Sequence, residues 1–185
     1  MTVTALDSKT ALVLIDLQKG ILGYPTVHPT DEIVGKAVAL ADAFRAKSLP
    51  VVFVNVTGGA PGRNEGKPMG DFPAGFADLA PELKRADDEH LVTKKTWGAF
   101  TNTDLDAYLK GLGITQIVLA GVATSIGVES TARFASELGY NITLAVDAMT
   151  DMNADAHANS IERIFPRLGE TGTTQDVIAL LGTRG

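Results

Sequence analysis

Ala11-Leu-Val-Leu-Ile-Asp16 is the stretch that decides the fold. An unbroken apolar run ending in a carboxylate suits a strand buried on both faces of a parallel sheet, where hydrophobicity is continuous rather than alternating. Pro50-Val-Val-Phe-Val-Asn-Val56 and Thr115-Gln-Ile-Val-Leu-Ala-Gly121 are of the same kind. His90-Leu-Val-Thr-Lys94 and Asn141-Ile-Thr-Leu-Ala-Val-Asp147 are shorter or more mixed versions. Helical patterns lie between them. Ile33, Ala37, Ala41 and Phe44 share one face, behind Thr30 as N-cap and acids Asp31 and Glu32 in the first turn. Thr103 to Gly113 closes on glycines suited to a left-handed cap. Ser125 to Leu138, Ala154 to Ile164 and Thr174 to Leu181 complete the set. Such strand–helix alternation with right-handed crossovers predicts a three-layer α/β/α sandwich around a mainly parallel, doubly wound sheet.

The chain of 185 residues is expected to form one domain, residues 1–185. Its 45% apolar and 21% charged residues are ordinary for a globular protein. A net charge of −6 and the lack of any basic run argue against nucleic acid or a membrane as partner. The N-terminus shows no basic segment followed by an apolar one, and no apolar stretch nears the roughly 20 residues that span a bilayer. A cytoplasmic protein is expected. The chain has no cysteine, so disulfides, thiolate metal sites and thiol catalysis are excluded together.

In open α/β sheets, ligands bind beyond the carboxyl ends of the strands. Asp16, Asn55 with Thr57, Lys94, and the turn Val122-Ala-Thr-Ser-Ile-Gly127 stand at four such ends. A carboxylate, an amide, an ammonium and a small-residue turn thus converge on one rim. A lone strand-end aspartate is more often a helix cap or a satisfied ion pair, but the convergence favours a functional group. Burial would raise the Asp16 pKa and Lys94 would lower it, as acid–base work requires. Side chains alternate along a strand, so only one of Lys94 and Lys95 can face the pocket. The turn at Val122, Ala123, Thr124 and Ser125 offers backbone N–H groups at a helix N-terminus, a place for an anion. An ordinary turn capped by Thr124 or Ser125 fits the same spacing.

Ala11-Leu-Val-Leu-Ile-Asp-Leu-Gln18, the run from Lys94 through Ala99-Phe100 to Thr103 and Leu105, and Ala120-Gly-Val-Ala-Thr-Ser-Ile-Gly-Val-Glu-Ser-Thr-Ala-Arg133 resemble the isochorismatase-like hydrolase superfamily. The likeness keeps its order from about residue 8 to residue 181, and the third block is the most specific. The family uses an Asp–Lys–Cys constellation, mostly for amide hydrolysis. The resemblance places the aspartate at Asp16, the lysine at Lys94 and the cysteine's position at Gly127. Amide hydrolysis there runs through a thioester, which glycine cannot form. Ser125 lies two residues too early to substitute. Family members that lack the cysteine hydrolyse a vinyl ether by protonating the enol-ether carbon. The resemblance therefore implies acid-catalysed hydrolysis of a small carboxylated vinyl ether, isochorismate-like, with Asp16 as acid, Lys94 tuning it and backbone amides from Ala123 to Gly127 holding charge. A catalytically retired member that binds a ligand or protein is the alternative. The family's cis non-proline peptide is expected within Val122-Ala123-Thr124.

The metal-binding branch of the family clusters histidines with an aspartate. His28, His90 and His157 are widely spaced, so no metal and no cofactor is expected. His28 could reach the pocket from its loop, though a solvated loop histidine is commoner; His157 would pack or cap. Trp97 either walls the pocket or serves a core or interface. Arg63 could meet a substrate carboxylate from the Gly- and Pro-rich stretch 57–76, which is either a lid or a surface excursion. Glu129 and Arg133 read as a structural i, i+4 pair. A small-molecule substrate and a homodimer or homotetramer are the expected partners.

Overall fold

In the computed structural model, residues 3–65 and 72–183 are described. The strands are β1 (Thr10–Ile15), β2 (Val51–Val56), β3 (His90–Lys94), β4 (Gln116–Val122), β5 (Asn141–Thr150) and β6 (Glu170–Gly172). They form one sheet in the order β3-β2-β1-β4-β5-β6, and every neighbouring pair is parallel. The helices are α1 (Lys19–Leu22), α2 (Thr30–Ala46), α3 (Leu105–Gly111), α4 (Glu129–Glu137), α5 (Ala154–Asn159) and α6 (Thr174–Gly182).

Both faces of β1 are buried because successive side chains point to opposite sides. Leu12 and Leu14 pack with Leu40 and Phe44 of α2 and with Val177 and Leu181 of α6. Val13 and Ile15 pack with Leu105 and Leu109 of α3 and with Ala132 and Ala135 of α4. Each such side chain contributes about 1.5–3 kcal/mol on leaving water. The sheet is therefore sandwiched between two helical layers, as the continuous apolar runs predict. Strand order reverses at β1: the chain runs outward through β2 and β3, then returns to lay β4 on the other side of β1. The crevice between the carboxyl ends of β1 and β4 is the switch point where such sheets take ligands.

Several boundaries differ from expectation. Thr30 is the first residue of α2 rather than its cap, and Pro29 precedes it without a side-chain cap bond. The segment after β4 opens with one π-helical turn, Thr124–Val128, before α4 begins. β5 runs on to Thr150 because the register slips between Leu119–Leu144 and Gly121–Met149. The bulge frees Asp147 from the ladder, and its Oδ1 accepts from Thr174 N at 2.6 Å at the start of α6. β6 has no apolar run to betray it; it is a three-residue edge strand paired only with β5. Gly121 (φ 126°) is required where β4 approaches β1, since a Cβ there would lie 2.0 Å from the Ile15 carbonyl oxygen.

Of the stretch 57–76, residues 66–71 lie outside the described ones. The part that follows is a strap laid over the ends of β1 and β2. Gln18, fully buried, donates to the Val56 and Phe76 carbonyls and accepts from Val56 N at 2.7 Å. Lys19 N donates to Asp78 O and Ala80 N to Leu17 O, each near 2.8–2.9 Å. Among the described residues no helix is long and apolar enough to cross a membrane.

Candidate active site

Asp16 leaves β1 in the left-handed region (φ 51°), with its N–H donating to Val54 O at 2.9 Å. A non-glycine residue held in that region is a strained feature that functional sites often keep. Its Oδ2 accepts from Lys94 Nζ at 2.7 Å, with the two side chains 7% and 2% exposed. Lys94 also donates to Thr96 O at 3.2 Å, so the ammonium is fixed at two points. The other carboxylate oxygen, Oδ1, is buried and has no hydrogen-bond partner. Burial pushes the Asp16 carboxyl up to about 6, against the pull of the Lys94 charge and its hydrogen bond. The result is a carboxyl that gains and loses its proton close to neutral pH.

Gly127 faces this pair. A Cβ built on it would sit 3.2 Å from Asp16 Oδ2 and 3.0 Å from Ile15 Cγ2. The peptide between Val122 and Ala123 is cis, inside the expected tripeptide. Not every N–H of the turn is open to an anion. Ser125 N donates to Asp151 Oδ2 at 2.7 Å, and Ile126 N and Val128 N both donate to Ala123 O at 3.1 Å. Ser125 Oγ also donates to Asp151 Oδ2, at 2.8 Å, so this hydroxyl is turned to the β5–α5 connection. Thr124, fully buried, donates to Thr150 O.

The remaining candidates fall into different places. Asn55 is buried; its Nδ2 donates to Ala77 O in the strap at 3.0 Å and its Oδ1 has no partner. Trp97 is 65% exposed. Arg63 is exposed on its loop and forms no hydrogen bond or ion pair with Asp16. Lys94 is the inward lysine and Lys95 the exposed one, as alternation requires. Glu129 and Arg133 pair at 2.9 Å. A cavity of about 360 Å³ opens at the end of β2 between Thr57 and the strap, against Phe72 and Phe76. A larger one, about 550 Å³, runs along α2 between Val34, Val38 and Ala80 and has neither Asp16 nor Lys94 in its walls.

Sequence reasoning missed Gln18 and Asp151, and gave His157 only a packing or capping role. Gln18 pins the strap, Asp151 caps the turn, and His157 Nδ1 lies 2.8 Å from Thr124 Oγ1. Their signal was weak: Asp151 and His157 come within reach only because β5 is longer than its apolar run. The histidines are also less scattered than their spacing suggests, since the His28 and His157 rings lie 4.9 Å apart. His90 instead stacks on Tyr108. Among the described residues, no three His, Asp or Glu side chains gather as a metal site would need.

Fold and charge pair together define a doubly wound α/β protein with a buried carboxylate–ammonium pair at its topological switch point. Residues 10–176 match the family model of the Isochorismatase domain. An uncharacterised isochorismatase family protein of Bacillus subtilis, YwoC, is 42% identical over 92% of this chain and 93% of its own length. A second, YecD of Escherichia coli O157:H7, is 41% identical over 93% and 96%. The structure of an isochorismatase family protein from Burkholderia thailandensis superposes with a TM-score of 0.93 at 42% identity, covering 97% of this chain and 98% of that one. The chain belongs to the isochorismatase family of hydrolases.

Proposed function

We propose that this protein is a hydrolase that works by proton transfer from Asp16, with no thiol intermediate, on a small carboxylated vinyl ether of the isochorismate type. The observation that carries the reading is the state of Asp16: a buried carboxyl, near half protonation close to pH 6, with one oxygen unpartnered. A general acid is most effective when its pKa lies near the working pH. Asp16 delivers its proton to the enol-ether carbon and the ether oxygen stabilises the resulting oxocarbenium ion. Water adds to the neighbouring carbon that bears the ether oxygen, loses a proton that restores Asp16, and the hemiketal collapses to a carbonyl and an alcohol. Lys94 holds Oδ2 and stabilises the carboxylate left after transfer. Gly127 stands where the resemblance would put a cysteine, and the chain has none. With Ser125, Ile126 and Val128 engaged elsewhere, the turn's anion-binding groups in this reading are the N–H groups of Ala123, Thr124 and Gly127.

The test is turnover of isochorismate and related carboxylated enol ethers, read as release of the keto acid. Turnover by the wild type that falls at least about a hundredfold in Asp16→Ala supports the reading. Equal rates in both proteins, or binding without turnover, would leave a ligand-binding role instead. We also infer self-association, supported by the exposed Trp97 and Phe134 on adjoining segments.

A further inference from the structure

We propose that His157, as the tautomer protonated on Nδ1, is a positioning residue whose hydrogen bond to Thr124 holds the turn that sets Gly127 against Asp16. The tautomer follows from proton counting. Thr124 has one hydroxyl proton, and it goes to Thr150 O at 3.0 Å. The 2.8 Å contact between Thr124 Oγ1 and His157 Nδ1 must then take its proton from the imidazole. Nδ1 carries the hydrogen and Nε2 is bare. Burial, and behind it the His28 ring, hold the imidazole below its usual pKa against the pull of Asp151, so the ring is neutral at pH 7.

Two residues of the turn are gripped from the chain that follows β5, one from the connection and one from α5. Asp151 holds Ser125 and His157 holds Thr124, and Thr150 ties the next layer: its hydroxyl accepts from His28 N at 3.1 Å and lies 3.1 Å from His28 Nδ1. The turn so gripped carries Gly127, whose Cα hydrogen fills the narrow space beside Asp16. If the turn relaxes away from β1, the side of Asp16 that Gly127 covers opens to solvent, because the Cβ position of Gly127 lies only 3.2 Å from Asp16 Oδ2. The hydrogen-bond contact of the His157 ring is to Thr124 Oγ1, and it acts through Thr124. The inference rests on the site described above but not on its substrate, since the readout is the Asp16 carboxyl itself.

The experiment is NMR of the full chain labelled with ¹³C and ¹⁵N, at pH 4 to 8. In the wild type the His157 ¹⁵N spectrum should show a protonated Nδ1 and a bare Nε2 at neutral pH. His157→Asn keeps an N–H donor near the Nδ1 position and should leave the Asp16 titration midpoint unchanged. His157→Leu should remove the grip and lower the midpoint by about half a pH unit or more as the carboxyl hydrates. A merely structural histidine would lower the melting temperature in both variants and leave the midpoint alone. A bare Nδ1 in the wild type overturns the proposal whether or not either variant folds. So does a folded His157→Leu with the wild-type midpoint, or an equal shift in both variants.

Discussion

The Cβ position of Gly127 lies 3.2 Å from Asp16 Oδ2, so the residue without a side chain and the residue with the raised pKa share one surface. The space between them is smaller than a methyl group needs. Ile15 Cγ2 closes it from the other side at 3.0 Å. Gly127→Ala should therefore cost about 1–3 kcal/mol through overpacking. The melting temperature should fall by about 2–4 °C for each kcal/mol in a chain of this size. Gly127→Cys carries the same Cβ and a sulfur beyond it, so it should be no more stable than the alanine variant and should gain no amidase activity while Asp16 is displaced. Thermal melts and an amide substrate panel check both. A cysteine variant with full stability and new amidase turnover would show a site still shaped for a thiol.

The raised pKa of Asp16 sets the direction of the pH profile. An acid catalyst works in its protonated form, so the rate should be level below about pH 6 and fall tenfold per unit above it. Stability moves in the same sense for this group. The native carboxyl keeps its proton up to about 6 and the unfolded one releases it near 3.8, so the contribution is complete at low pH and lost as pH rises between those values. A rate that rises between pH 6 and 8 would assign Asp16 to base chemistry. The measurement is kcat/KM against pH.

Asp16 and Lys94 should also behave as one unit in stability. Asp16→Asn leaves a buried ammonium with neutral acceptors alone and no counter-charge, and losing one charge of a buried pair typically costs about 3–5 kcal/mol. Changing Asp16→Asn together with Lys94→Met removes the stranded charge and should recover more than half of that loss. Equilibrium unfolding in denaturant at pH 7 measures the cycle. Additive losses would mean that the 2.7 Å contact contributes little coupling.

Asp16 and Lys94 were legible in the sequence because each ends an apolar run, and a parallel sheet puts all such ends on one rim. Their meeting was less certain, since β2 stands between β1 and β3 and only a long side chain can cross it. The sheet and both helical layers followed from the same runs. What stayed hidden depends on exceptions to local pattern. β5 outlasts its apolar run through a bulge, and that alone brings Thr150 and Asp151 to the turn. Gln18 does in one side chain what a strand ladder does with backbone, a role no residue type announces. The His28–His157 contact joins a loop before α2 to a helix after β5, with no periodicity to link them.

Trp97 remained open between a pocket wall and an interface, and its surroundings favour the second. It is 65% exposed, and a Cβ built on the neighbouring Gly98 would lie 3.5 Å from the ring of Phe134, itself 45% exposed on α4. Leu138, one turn further along the helix, is exposed as well. Contiguous aromatic and aliphatic exposure of this kind marks a surface that another protein surface covers. If the proposed self-association uses this surface, Phe134→Glu should weaken it, because a carboxylate at the centre of an interface has to be desolvated without a partner. Sedimentation velocity at micromolar concentration reads the result directly. Since Trp97 is the only tryptophan, its emission should move to longer wavelength on dissociation and stay put when substrate is added. A wild type that sediments as a monomer, with tryptophan emission quenched by substrate, would return Trp97 to the wall of the pocket beside Lys94.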